Sequence, residues 1–185
     1  MKKDFIAPII ALSLICLFVS GALAVVNSKT YPVIIKAAEE RAKAAMRDIV
    51  PEAVEFAEIG EIAELHRTIT GIFRAVNNSG SVLGYVFMIT THGYGGEIKL
   101  ICGINMEGRI IKTATLSQTE TKGMATPVFG TEHQNQYTGK NKNLDDVNAV
   151  SGATISSNAY RTGISNAFHA YEIIMSHLNA EQADE

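Results

Sequence analysis

Residues 147–157 read VNAVSGATISS, and within them Ser151, Gly152, Ala153 and Thr154 are all small and stand just ahead of a helical pattern. The first backbone N–H groups of a helix have no intrahelical acceptor, and the helix dipole places partial positive charge on them. Small residues at that point let a phosphate approach closely. Alone, Ser-Gly-Ala-Thr is usually a capping sequence that satisfies those donors itself. The residue types leave both readings open.

Other chemistry is scarce. The five histidines, His66, His92, His133, His169 and His177, do not fall at metal-ligand spacing, and the chain has no nucleophile elbow and no Walker loop. His169 and His177 stand eight apart on the terminal helical pattern and read as surface or hydrogen-bonded polar residues. The two cysteines, Cys16 and Cys102, lie far apart, one of them inside an apolar run. They build neither a disulfide framework nor a zinc or iron-sulfur ligand set, so a redox role needs another cofactor. Charged residues make up 19% of the 185, the formal net charge is -3, and no block of like charge exceeds two. Those figures argue against a disordered tail and against a basic nucleic-acid surface.

The elements that must position the small-residue segment follow from periodicity. After it, a helix is predicted from about Ser156 to Leu178, with Ile155, Ala159, Ala170, Ile173, Ile174 and Leu178 as core positions. Before it, residues 69–116 carry runs rich in β-branched and aromatic side chains: TITGIFRAV, SVLGYVFMITTHG, EIKLICGIN and RIIKTATL. The short breaks NNSG, YGG and MEG between them imply antiparallel neighbours. A loop, SQTETKGMATP, and a polar stretch to Asp146 complete the connection. The soluble part reads as α+β, a sheet with helices at its ends.

Ahead of the sheet, residues 5–26 carry no charge, and about 22 helical residues span a hydrocarbon core of about 30 Å. A retained membrane helix is the expectation. The competing reading is a cleaved signal, since Lys2 and Lys3 make a basic start and Ala22-Leu23-Ala24 fits a small-residue cleavage site. Apolar regions of signals, however, run only about 7 to 15 residues. Ile15 ahead of Cys16 is too bulky for a lipid-attachment signal. Lys2 and Lys3 on one flank against Lys29, Lys36, Arg41 and Lys43 on the other leave orientation undecided by charge. The short tail before the run resembles an uncleaved export signal, which puts the rest of the chain on the outer face. Residues 32–49 form an Ala/Glu/Lys/Arg-rich helix with Pro32 near its start and Ile35, Ala38, Ala42, Ala45 and Ile49 on one stripe, ended by Pro51 and packing on the domain. The expected division is 1–28 for the tail and membrane helix, 29–52 for the connecting helix and 53–185 for the soluble domain.

SGATIS resembles the flavin-attachment motif of the FMN-binding domain shared by the G subunit of the Rnf electron-transport complex and the C subunit of the sodium-pumping NADH:quinone oxidoreductase. HGYGGEIKLICGINMEGRI is similar to that family's Gly-Tyr-Gly-Gly loop, strand and Asp- or Glu-Gly turn, and TETKGMA is similar to its Glu-Thr-Pro-Gly-Leu-Gly loop. The resemblance covers nearly the whole chain and is closest to the Rnf G subunit. It implies an antiparallel-sheet FMN-binding domain with a C-terminal helix. It also implies covalent FMN, held by a phosphoester to Thr154, with Ser151, Gly152 and Ala153 around the phosphate and Glu120, Thr121 and Gly123 where the loop meets the isoalloxazine ring. Tyr94, Gly95 and Gly96 are weaker candidates, since glycines there can serve the turn alone. The sequence departs from the family at Lys122 (usually Pro), Met124 (Leu), Ala125 (Gly) and Asn148 (commonly Asp).

The implied activity is electron carriage within an ion-translocating ferredoxin:NAD oxidoreductase of the Rnf type, in an inner membrane, with no turnover by the chain alone. Its implied partners are other redox subunits and a flavin transferase. Two alternatives stand beside it: an anchored extracytoplasmic FMN protein serving a reductase, and a non-redox binding domain in which SGAT only caps a helix.

Overall fold

Two asparagines close two of the hairpins by the same device. The Asn77 side-chain oxygen accepts the backbone N–H groups of Ser79 and Ser81, both at 2.9 Å, and that of Asn105 accepts those of Glu107 and Arg109 at 3.0 and 2.9 Å. Such turns let a strand reverse while its backbone donors stay bonded. Around them the computed structural model, which describes residues 2–183 apart from 61, 63, 122 and 124, forms a five-stranded antiparallel sheet in the order β1-β2-β3-β4-β5. The strands are β1 (Glu55–Glu58), β2 (Ile69–Val76), β3 (Val82–His92), β4 (Glu97–Asn105) and β5 (Ile110–Gln118). The four strands expected from periodicity are present within one or two residues. Strand β1, too short to show alternation, was not expected. Two short helical turns also occupy the stretch read as loop, a 3-10 turn (Thr126–Phe129) and α2 (Thr131–Asn135).

Helix α3 (Thr154–Ala183) covers one face of the sheet. Tyr85, Phe87, Ile89, Leu100 and Cys102 from the strands meet Tyr160, Ile164, Ala167, Phe168, Tyr171 and Ile174 from the helix in one core. Each large apolar side chain so buried contributes about 1.5–3 kcal/mol relative to exposure. Of the expected helix core positions, Ala170 and Ile174 are buried and Ala159, Ile173 and Leu178 partly so, whereas Ile155 is 56% exposed. The helical period predicts which positions share a face but not where the facing sheet stops, and the first turn of α3 reaches beyond it. Tyr160 and Tyr171 complete the buried stripe because their hydroxyls find acceptors, Thr113 Oγ1 at 3.2 Å and the Met106 carbonyl at 3.1 Å.

The chain forms two units, residues 1–42 and 43–185. In the first, helix α1 (Lys2–Ile49) begins, with Pro8 and Pro32 inside it, so Pro32 does not open a separate helix. A helix-interior proline removes one backbone hydrogen bond and costs about 3 kcal/mol; the Ala-, Glu-, Lys- and Arg-rich residues 36–47 that follow Pro32 favour the helix. Large apolar side chains such as Ile9, Leu12, Leu17, Phe18 and Leu23 are exposed, as on a helix whose solvent is lipid. Among the described residues it is the one helix long and apolar enough to cross a membrane. In the second unit, Met46 and Ile49 at the end of α1 and Val50 just after it are buried, as are Ala75, Val86 and Ile101 of the strands, and Ile49 and Val50 lie against Gly103 of β4. Within this unit the expected stripe is half-buried at Ala45 and buried at Ile49.

Candidate functional site

The turn between β3 and β4 is shaped by a carboxylate. Glu120, just past the end of β5, is 7% exposed; its Oε2 accepts the Gly95 backbone N–H at 2.8 Å and its Oε1 accepts the Ser156 hydroxyl at 2.9 Å. A Cβ at Gly93 would fall inside that carboxylate, one at Gly95 would lie 2.7 Å from Thr121 Oγ1, and one at Gly96 would collide with Thr119. The glycines at 93, 95 and 96 thus answer to close approach by residues 119–121, not to a left-handed backbone. Gly152 is the opposite case: its φ of 77° suits glycine, and it turns the chain into α3.

Thr154 is the first residue of α3. No side chain caps that end: Ala153 precedes it, and the Ser151 hydroxyl makes no hydrogen bond among the described residues. The first intrahelical bond runs from the Ser157 N–H to the Ala153 carbonyl, while the Ser157 hydroxyl accepts the Val150 N–H and holds the incoming loop. The backbone N–H groups of Thr154, Ile155 and Ser156 therefore have no protein acceptor among the described residues. The self-capping reading of Ser-Gly-Ala-Thr does not describe this turn.

Between the two lies a cavity of about 450 Å³ lined by Tyr94, Glu120, Thr121, Ala125, Gly152, Ala153, Thr154, Ile155 and Ser156. Segments some thirty residues apart in sequence thus come together at one cavity. Of the expected residues, Thr154, Gly152, Ala153, Glu120, Thr121 and the weaker candidate Tyr94 line it, and Ser151, Gly123, Gly95 and Gly96 do not. Two of the family departures, Lys122 and Met124, lie outside the described residues. Ile155 and Ser156 were not expected there. Ser156 closes SGATIS, two positions after Thr154, without a role of its own in that reading, and Ile155 had been assigned to the core by its periodicity.

In the interior, burial sets the protonation chemistry. The Cys102 thiol is pushed far up by burial and stays a thiol, so it adds no redox couple. Burial likewise raises the Tyr160 and Tyr137 phenols. It lowers His133, whose ring packs edge-on against both at 5.4 and 5.5 Å between centroids. At the surface, Lys140 bonds Asp146 and holds its carboxyl below the usual range. Asn148 is exposed; its backbone N–H donates to Gln136 Oε1 at 2.9 Å. Among the described residues no cluster of His, Cys, Asp and Glu could hold a metal ion.

The span holding both walls of the cavity, residues 93–169, matches the FMN-binding domain family. The chain carries an FMN-binding domain. The G subunit of the ion-translocating oxidoreductase complex of Methanosarcina acetivorans is 29% identical over 168 residues, 85% of this chain and 89% of that one. The G subunit of the Na(+)-translocating ferredoxin:NAD(+) oxidoreductase complex of Acetobacterium woodii is 25% identical over 175 residues, 82% of this chain and 84% of that one. The crystal structure of Shewanella oneidensis NqrC aligns at a TM-score of 0.48 and 16% identity, covering 64% of this chain and 67% of that one. The cavity of this FMN-binding domain suits a flavin mononucleotide. It has unbonded N–H groups at one end for a phosphate, and the exposed Tyr94 and Ile155 side chains offer apolar surface for a ring.

Proposed function

We propose that this chain is the covalent-FMN electron-carrier subunit, of the G type, in a membrane-bound ion-translocating ferredoxin:NAD oxidoreductase of the Rnf kind. One observation carries it: Thr154 opens α3 beside three backbone N–H groups that have no acceptor among the described residues, in the lining of the cavity within residues 93–169. On this reading Thr154 is the phosphoester anchor, made by a flavin transferase. Ser151, Gly152 and Ala153 form the loop around the phosphate; Glu120, Thr121 and Gly123 belong to the ring side. Bound flavin supplies reversible one- and two-electron chemistry, and the protein positions the ring and tunes it. The N–H groups of the first turn hold the phosphate charge, and the tether prevents loss of a cofactor that works outside the cytoplasm. Residues 1–28 anchor the chain by a single pass, 29–52 connect, and 53–185 lie on the extracytoplasmic side of the inner membrane. Electrons enter and leave through other redox subunits, so the chain turns over nothing alone.

Thr154→Val is close in shape and removes only the hydroxyl. Expressed with the transferase, it is expected to lose all in-gel flavin fluorescence after denaturation while keeping the wild-type circular dichroism spectrum. Fluorescence that survives in the variant overturns the assignment. Copurification with integral membrane redox subunits is expected, and its absence would favour a stand-alone anchored flavoprotein.

A further inference from the structure

We infer that Glu120 performs two tasks in the cavity: it straps the Gly93–Gly96 turn to the first turn of α3, and its fixed charge lowers the reduction potential of the flavin. The inference rests on the cavity being the flavin site.

The strap is visible in the bonds. Oε2 takes the Gly95 N–H and Oε1 takes the Ser156 hydroxyl, so one side chain joins the β3–β4 turn to the helix that begins at Thr154. Both oxygens act as acceptors, the role of a carboxylate. Three glycines clear room for residues 119–121, and any side chain at 93 would displace this group. Leaving a carboxylate nearly out of water is costly unless its oxygens are bonded, and here the two donors come from the two walls of the cavity. The Glu120 side chain also lines the cavity, with Tyr94 beside it on the strapped turn.

The electrostatic consequence has a definite sign. Reduction adds electrons, and with them negative charge, to a ring next to a fixed anion in a partly water-excluded site, where Coulomb terms are stronger than in solution. The reduced form is disfavoured, and the potential falls. Glu120→Gln keeps the size and an acceptor for Gly95, and its amide can donate to the Ser156 oxygen, so the strap survives while the charge goes. Ser156→Ala does the reverse: it keeps the charge and removes one of the donors that disperse it.

The test uses the full-length protein, coexpressed with a flavin transferase and purified in detergent. Intact mass first reports flavin on wild type and variants; dithionite titration against a reference dye then gives midpoint potentials. In the flavin-loaded fraction, Glu120→Gln is expected to favour the reduced form about tenfold more than wild type, a positive shift of about 30 mV for a two-electron couple. Ser156→Ala is expected to shift the other way. An unchanged or more negative potential in loaded Glu120→Gln overturns the inference. If that variant does not fold or load, Ser156→Ala decides, and an unchanged or positive shift overturns it. Wild type without flavin would instead overturn the underlying function, which keeps the two failures apart.

Discussion

His133 is buried to 2% exposure; among the described residues neither ring nitrogen makes a well-formed hydrogen bond, the Val128 backbone offering only a weak one, and the Tyr137 hydroxyl beside it has no partner. A polar group left so costs about 1–3 kcal/mol. Burial holds the His133 pKa below its ordinary value, against a weaker opposing pull from the Val128 backbone. As pH falls through about 6.5 the unfolded chain takes up this proton before the folded one does, so stability present above that pH is lost below it. The melting temperature followed by circular dichroism should therefore drop between pH 7 and pH 5. His133→Phe should hold or raise it at pH 7.5 and remove at least half of the acid loss. An acid loss as large as in wild type would show that other groups carry it. Histidine count and spacing said nothing of this, because burial of a side chain in α2 depends on what α3 and β5 bring over it.

At the scale of elements, the end of α1 is seated on a glycine. A Cβ added at Gly103 of β4 would collide with Ile49 Cγ2, and the Lys112 ammonium reaches Asp48 at 2.7 Å alongside. The ion pair is exposed and contributes little. The apolar contact is the larger quantity. Ile49→Ala should lower stability by about 2–5 kcal/mol, the range for a buried isoleucine truncated to alanine. Gly103→Val should lower it by about 1–3 kcal/mol through overpacking. Because the added methyls occupy space that Ile49 vacates, the double variant should lose less than the two single losses summed, as read from thermal unfolding of the detergent-solubilised chain. Strict additivity would mean that the two residues do not share a seat. The glycine was readable only as a residue inside a strand; that it accommodates a helix is a long-range fact.

At the scale of the whole molecule, flanking charge does not orient the chain, since Lys2 and Lys3 stand on one side of the apolar run and Lys29, Lys36, Arg41 and Lys43 on the other. Protease added to intact cells stripped of their outer wall should digest residues after about Lys29 and leave a membrane-embedded N-terminal peptide. Complete protection followed by digestion on lysis would put the domain inside and overturn the proposed location. A detergent-solubilised control separates protection by the membrane from resistance of the fold.

The positions of strands β2 to β5, the hairpin turns between them and the long apolar helix were determined by sequence alone, because each depends on period, length or a turn residue within about ten positions, whereas the four-residue β1 carried no such signal. The motif SGATIS was likewise local, but its chemistry was not. Only the tertiary structure decided that Ala153 leaves the helix start uncapped and that Glu120 lies against Ser156, thirty-six residues away. It also decided that Gly93, Gly95 and Gly96 make room for that contact, and that Ile155 leaves the core for the cavity. Each of these depends on which surface the folded chain brings opposite a residue, and a one-dimensional period carries no record of where that opposing surface ends.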